Sequence, residues 1–116
     1  MSLEILETPS PNFGARRGTV PVDMLVLHYT GMQTADAALE RLRDPEAQVS
    51  AHYLIEEGGR IHRMVAESAR AWHAGVACWR LQTDVNSRSV GIELVNPGHE
   101  WGYRSFPEPQ MRALIV

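Results

Sequence analysis

The chain has 116 residues, is 44% hydrophobic and 22% charged, and carries a formal net charge of −3 at neutral pH. That length supports one domain around one core, and the apolar and charged shares belong to a folded chain rather than a disordered one. A negative total argues against a general nucleic-acid binder, which presents a basic face.

Cys78 is the single cysteine, which excludes an intrachain disulfide and a Cys-x-x-Cys metal site. The opening residues MSLEILETPSPNF lack the cationic and apolar regions of a secretory signal. No apolar run approaches the length that spans a bilayer. A cytoplasmic setting is the expectation; a chain relieved of a leader, working in the periplasm or outside the cell, would read the same way.

Residues 1–21 read as an N-terminal loop, punctuated by Pro9, Pro11, Gly14, Gly18 and Pro21, with Arg16 and Arg17 among them. DMLVLHY then reads as a strand. Its residues are apolar on both faces, which predicts a central, doubly covered position. Thr34 is placed to cap a helix through ADAALERLRD, with Ala35, Ala38, Leu39 and Leu42 on one stripe and Pro45 as its stop.

SAHYLIEEGGRIHRMV reads as a hairpin, with Gly58-Gly59 suited to a tight primed turn. Residues 66–88 show no clean period and read as a long ordered loop. RSVGIELVN is a further strand, closed by Pro97-Gly98. FPEPQMRALIV opens a helix with Pro109 near its start and Met111, Leu114 and Ile115 beginning an apolar stripe. The expected architecture is α/β: one domain over residues 1–116, with a mixed central sheet flanked by helices and the C-terminal part of the domain missing.

The residues able to carry chemistry sit at strand ends and in the loop. His28 is a polar ring at the end of an apolar strand, where α/β sites commonly form; a histidine packed against a backbone carbonyl fits the same position. Glu93 lies between Ile92 and Leu94 in an otherwise apolar strand. A carboxylate there costs several kcal/mol or so unless paired or functional, the other reading being an edge strand with the acid in water. Gly91, two residues earlier on the same face, is expected to leave substrate-sized space beside it.

In AWHAG, Trp72 and His73 set an aromatic surface and a switchable donor or acceptor beside Gly75; loop aromatics also serve simply to cover a core. His52 and His62 are expected to face solvent on the hairpin strands, His99 to sit in a turn, and Cys78 to be a small buried apolar residue. No HExxH, GxSxG or phosphate-loop pattern occurs.

Taken in order, LVLHYTG, VSAHYLI, AWHAGVACW and NSRSVGIELVNPG resemble the segments of the zinc-dependent N-acetylmuramoyl-L-alanine amidases, the type-2 amidases related to the peptidoglycan-recognition proteins. FPEPQMRAL resembles the helix that follows in them. The resemblance runs from Asp23 to Val116 and rests on several ordered segments rather than one motif.

It implies a mixed sheet flanked by helices with Zn2+ at its rim, and hydrolysis of the amide between the lactyl group of N-acetylmuramic acid and L-alanine. His28 matches the first zinc ligand. Glu93 matches the acid that handles the proton of the attacking water. Trp72 and His73 match the loop lining the muropeptide groove, Asn86 the asparagine that orders this loop or touches substrate, and Tyr29 joins the substrate-binding set.

Phage and animal relatives carry a tyrosine just before the hairpin strand's HF or NF and lack the strand acid. Here Ala51 and Glu93 occupy those positions, which points to the bacterial recycling branch and leaves Tyr53 as a core or groove-wall residue. The family's second and third ligands, a histidine and an aspartate or cysteine, come after the last helix and are expected beyond Val116. The implied partners are peptidoglycan fragments, with no nucleic acid and no transmembrane segment. The rival expectation is a module that binds muropeptides without cutting them.

Overall fold

Short alternating strands and two amphipathic helices organise the chain, seen here in a computed structural model that describes residues 5–18, 21–75, 84–98, 102 and 104–115. In chain order the elements are β1 (Ile5–Glu7), β2 (Phe13–Ala15), β3 (Met24–Tyr29), α1 (Ala35–Arg43), β4 (Tyr53–Ile55), β5 (Ile61–Arg63) and β6 (Ala69–Ala71). A 3₁₀ turn (Val85–Ser87), β7 (Ser89–Leu94) and α2 (Glu108–Ile115) follow. One mixed sheet runs β1-β5-β4-β7-β3, and β2 and β6 form a separate two-stranded ribbon. The α/β expectation holds.

Two segments read as loop contain strands. β1 lies parallel to β5, and β2 pairs antiparallel with β6. All three of the missed strands are three residues long, too short for period-2 alternation to show among their prolines and glycines. The N-terminal stretch and residues 66–88 are therefore partly sheet.

β3 forms where DMLVLHY predicts it, but at the end of the sheet rather than its middle, paired among the described strands only with β7. Its residues alternate between half-buried and exposed, with Leu25 59% and Leu27 48% exposed. A run apolar on both faces is no proof that both faces are covered.

Helix α1 follows its sequence signals. Thr34 Oγ1 accepts the Ala37 N–H at 3.1 Å, satisfying one of the helix's orphan donors. Ala38 and Leu42 pack on Leu54, Met64 and Val95, with Ala35 and Leu39 beside them. Leu54 is fully buried, a contribution of about 1.5–3 kcal/mol. On the opposite face, α2 sets Ala113 against Ile55, Ile61 and Leu94, with Met111 and Leu114 partly buried.

Ile115 departs from its expected stripe and is 82% exposed. Gln110 takes the inward place instead: its Nε2 donates to the carbonyls of Ile55 (3.0 Å), the last residue of β4, and Val95 (3.1 Å), just past β7. The hairpin turn is also longer than a two-residue primed turn. Glu56 N–H donates to Arg60 O, Gly59 N–H donates to Glu56 O, and Gly59 has φ +98°, a three-residue loop with its glycine at the left-handed position. A Cβ on Gly59 would stand 2.9 Å from Pro109 O, so the start of α2 rests on this turn.

Candidate active site

The register of β3 against β7 builds the site. Parallel pairing sets Met24 beside Ser89, Val26 beside Gly91 and His28 beside Glu93. Side chains alternate along a strand, so Ser89, Gly91, Glu93 and His28 share one face. Leu54 of β4 stands in register on the other side of Glu93, and α1 covers this same face.

Glu93 is therefore walled by an imidazole and a buried leucine. Its Oε2 is buried and has no hydrogen-bond partner among the described residues. Burial, with no compensating cation, pushes the carboxyl up to about 7. The acid opens on a cleft of about 120 Å³ whose lining includes Thr30, Met32, Arg41, Trp72 and His73.

His73 reaches this face from the loop after β6. Asn86 Oδ1 accepts the N–H groups of His73 (3.1 Å) and Ala74 (2.8 Å), fixing the loop where it passes the sheet. A Cβ on Gly91 would come within 2.4 Å of the His73 ring. The space that Gly91 leaves thus belongs to His73, not to substrate as its place beside the acid suggests.

The ring of His73 spans from Ser89 Oγ, 2.9 Å from Nε2, to His28 Nε2, 3.0 Å from Nδ1. Burial first, then the nearby His28, His52, Arg16 and Arg70, push His73 down to about 3. Burial also lowers His28. Both rings are neutral at physiological pH.

Trp72 lines the cleft, and its backbone N–H and C=O are both held by Ser50. Asn86 is buried, and its side-chain oxygen holds the loop rather than the cleft. Tyr29 is corrected. Alternation along β3 turns it to the face opposite His28, where its ring packs over Gly98, whose Cβ would meet it at 2.3 Å.

His52 and His62 are buried, against their expected exposure. His52 Nδ1 accepts the Gly91 N–H at 3.1 Å, so its Nε2–H donates to Ala69 O at 2.9 Å. His62 Nε2 donates to Glu56 Oε2 at 2.6 Å, and its Nδ1 is bonded to Thr8 Oγ1 at 2.9 Å. A signal for both was available, since His52 alternates with Leu54 and His62 with Met64. Cys78 and His99 lie outside the described residues.

Sequence reasoning gave no role to Arg16. Its guanidinium donates to the carbonyls of Glu67, Asn86 and Ser89, pinning the start of β7 to the turn before β6. Those carbonyls lie up to 73 residues away, and its Nη2 also stands 3.2 Å from His52 Nε2, which no local pattern announces.

Zinc sites with catalytic function use three protein ligands and a water. His28 is a suitable donor, a neutral imidazole at the rim with an acid in register. Among the described residues, however, no group of three or more His, Cys, Asp or Glu side chains is placed to hold a metal. The donor set is right in kind and short in number.

A mixed sheet with a helix on each face is an architecture shared with the type-2 amidases. The sequence profile of the N-acetylmuramoyl-L-alanine amidases matches residues 18–116, and the chain belongs to that family. It is 38% identical over 106 residues to the N-acetylmuramoyl-L-alanine amidase AmiD of Escherichia coli K12, covering 81% of this chain and 37% of that protein.

Among solved structures it is similar to a crystal structure of a selenomethionine derivative of AmpD, with TM-score 0.79, 29% identity, and coverage of 98% of this chain and 74% of that one. It is also similar to E. coli AmiD in complex with anhydro-N-acetylmuramic acid-L-Ala-D-γ-Glu-L-Lys, with TM-score 0.73, 34% identity, and coverage of 90% and 49%. The chain spans about half the length of the curated relatives it matches.

Proposed function

We propose that this chain carries the proton-handling half of an amidase site, one that hydrolyses the bond between the lactyl group of a muramic acid and L-alanine in peptidoglycan fragments. The observation that carries the reading is Glu93: a carboxyl held near 7 by burial, in register with an imidazole and open to a cleft. An acid poised at neutrality is suited both to take a proton from an attacking water and to give one to a departing amine, a role worth about 10²–10⁴ in rate. The substrate class follows relatives such as the AmiD bound to an anhydro-muramyl peptide.

In this reading, Glu93 accepts the water's proton as oxygen bonds to the lactyl carbonyl carbon. It then donates that proton to the alanine nitrogen as the C–N bond breaks, giving a muramic acid with a free carboxyl group and a free peptide. Trp72 and His73 form the wall that aligns the sugar and first peptide unit. Asn86 keeps that wall in place.

Zinc belongs to the same proposal: His28 would be one ligand, the others lying outside the described residues. When bound there, the metal supplies Lewis acidity that acidifies water and polarises a carbonyl.

The test is release of peptide from an anhydro-muramyl tripeptide, followed by mass spectrometry with and without added Zn2+. Glu93→Gln should lower turnover by about 10²–10⁴ with substrate binding kept. Unchanged turnover in that variant would overturn the role. Binding of the fragment by the parent chain without any release would instead make this a recognition module.

A further inference from the structure

The functional reading uses His28 and Glu93 but leaves Ser89 without a task, although it is fully buried on the same face. Its hydroxyl has two neighbours. One is Val85 O at 2.8 Å, and a carbonyl oxygen can only accept. The Ser89 proton is therefore committed to Val85. Toward His73 Nε2 at 2.9 Å, Ser89 Oγ can only accept, so Nε2 carries the His73 proton.

A neutral His73 protonated at Nε2 has a lone pair at Nδ1. That nitrogen lies 3.0 Å from His28 Nε2, which must then be the donor. The order of protons is fixed from one end: Ser89 to Val85 O, His73 to Ser89, His28 to His73. His28 is left with an unprotonated Nδ1, and no hydrogen bond among the described residues uses that atom.

We infer that Ser89 is a positioning residue, which acts through His73 to lock His28 in the Nε2–H tautomer and so presents the Nδ1 lone pair at the rim of the sheet. Three neighbours support the relay. Gly91 provides the gap in which the His73 ring lies, with a Cβ there blocked at 2.4 Å. Asn86 Oδ1 holds the backbone N–H of His73. Arg16 Nη1 donates to Ser89 O at 3.1 Å and to Asn86 O at 3.1 Å, fastening both ends of the relay's support.

A lone pair held in one place is what a cation or an acidic ligand proton requires, and a partner bonded to a histidine's other nitrogen is how a ligating imidazole is oriented. The relay deepens the zinc part of the function proposed above and rests on that reading for its purpose, though not for its geometry.

The experiment is long-range proton–nitrogen correlation NMR on the ¹⁵N-labelled chain at neutral pH, which reads which ring nitrogen bears the proton. The parent chain should show His28 and His73 each in one tautomer, protonated at Nε2. Ser89→Ala should release His73 and give both rings mixed tautomers, while Ser89→Thr, which keeps the hydroxyl, should restore the single form. His28 protonated at Nδ1 in the parent chain, or an unaltered His28 in a folded Ser89→Ala, would overturn the relay.

The parent spectrum decides the tautomer even if a variant does not fold. Titration with ZnCl₂ in the same tube separates the two claims. Perturbation at His28 Nδ1 that needs about 10–100-fold more zinc in Ser89→Ala is the expected result. A single Nε2–H tautomer with no response to zinc upholds the relay and removes the metal from the functional proposal.

Discussion

Glu93 behaves unlike an ordinary surface acid because strand register gives it Leu54 on one side and a neutral His28 on the other. Its carboxyl lies at about 7, raised from 4.5 by burial. A raised acid pKa means that the folded chain holds a proton the unfolded chain has already lost. The Glu93 contribution to stability is therefore constant below 4.5, falls as pH rises from 4.5 to about 7, and is flat beyond, while His73, His28 and His52, all lowered, contribute with the opposite sign as pH rises toward 6.5. At ~1.36 kcal/mol per unit the whole loss is about 3 kcal/mol.

The stability difference between the parent and Glu93→Gln, from urea midpoints of the metal-free chains at pH 4.5 and pH 8, should shift by that amount against the parent, the histidine contributions being common to both. A parent-to-variant difference that is the same at the two pH values would mean that the carboxylate finds a partner or water when it ionises. Gly91 makes a second test at the same scale. Its backbone is not in the left-handed region, so Gly91→Ala changes only space, and the new methyl meets the His73 ring. The variant should lose ~1–3 kcal/mol by overpacking and should shift the His73 ring resonances. Unmoved resonances would show that the ring does not lie over the glycine.

Elements were legible where they were long or chemically punctuated. Helix α1 announced itself by Thr34, its alanine–leucine stripe and Pro45, while six-residue β3 and β7 announced themselves by apolar runs. Three-residue β1, β2 and β6 did not, because three positions carry too little pattern. At the site, a histidine ending one strand and an acid inside another were readable as residues, but their shared register is a property of pairing across 65 positions. Tyr29 stands on the face opposite His28, as alternation along β3 requires.

Gln110 is the element-scale case in which polarity misleads. Glutamine side chains are mostly exposed, yet Gln110 is fully buried, its amide donating to the Ile55 and Val95 carbonyls. Gln110→Leu should cost ~1–3 kcal/mol, since it keeps the volume but orphans the Val95 carbonyl, the Ile55 carbonyl keeping the Val95 N–H. Thermal unfolding of the pair decides it. A cost below half a kcal/mol or so would mean that water replaces the amide and that α2 is held by Ala113 and Leu114 alone.

For the molecule as a whole, the two faces of the sheet are unequal. The face bearing His28, Glu93 and Ser89 is packed under α1, with Leu54 fully buried. The other carries α2 beside a hollow of about 400 Å³ whose lining includes Leu25, Tyr53, Ile92 and Leu114, and the leucines of β3 stand open there. Substitutions should therefore separate by face rather than by residue type.

Leu54→Ala should cost ~2–5 kcal/mol, because it leaves a cavity between α1 and the sheet. The double change Leu25→Gln, Leu27→Gln removes leucines that are already half in water and should cost less than about 1 kcal/mol. Apolar surface left open favours association, so sedimentation of the double variant should show less self-association than the parent. If the double variant instead unfolds as readily as Leu54→Ala, the open face is part of the core in solution, covered by residues outside the described ones or by a second copy. Concentration dependence of the parent's unfolding midpoint tells those two covers apart, since only a second copy makes stability rise with protein concentration.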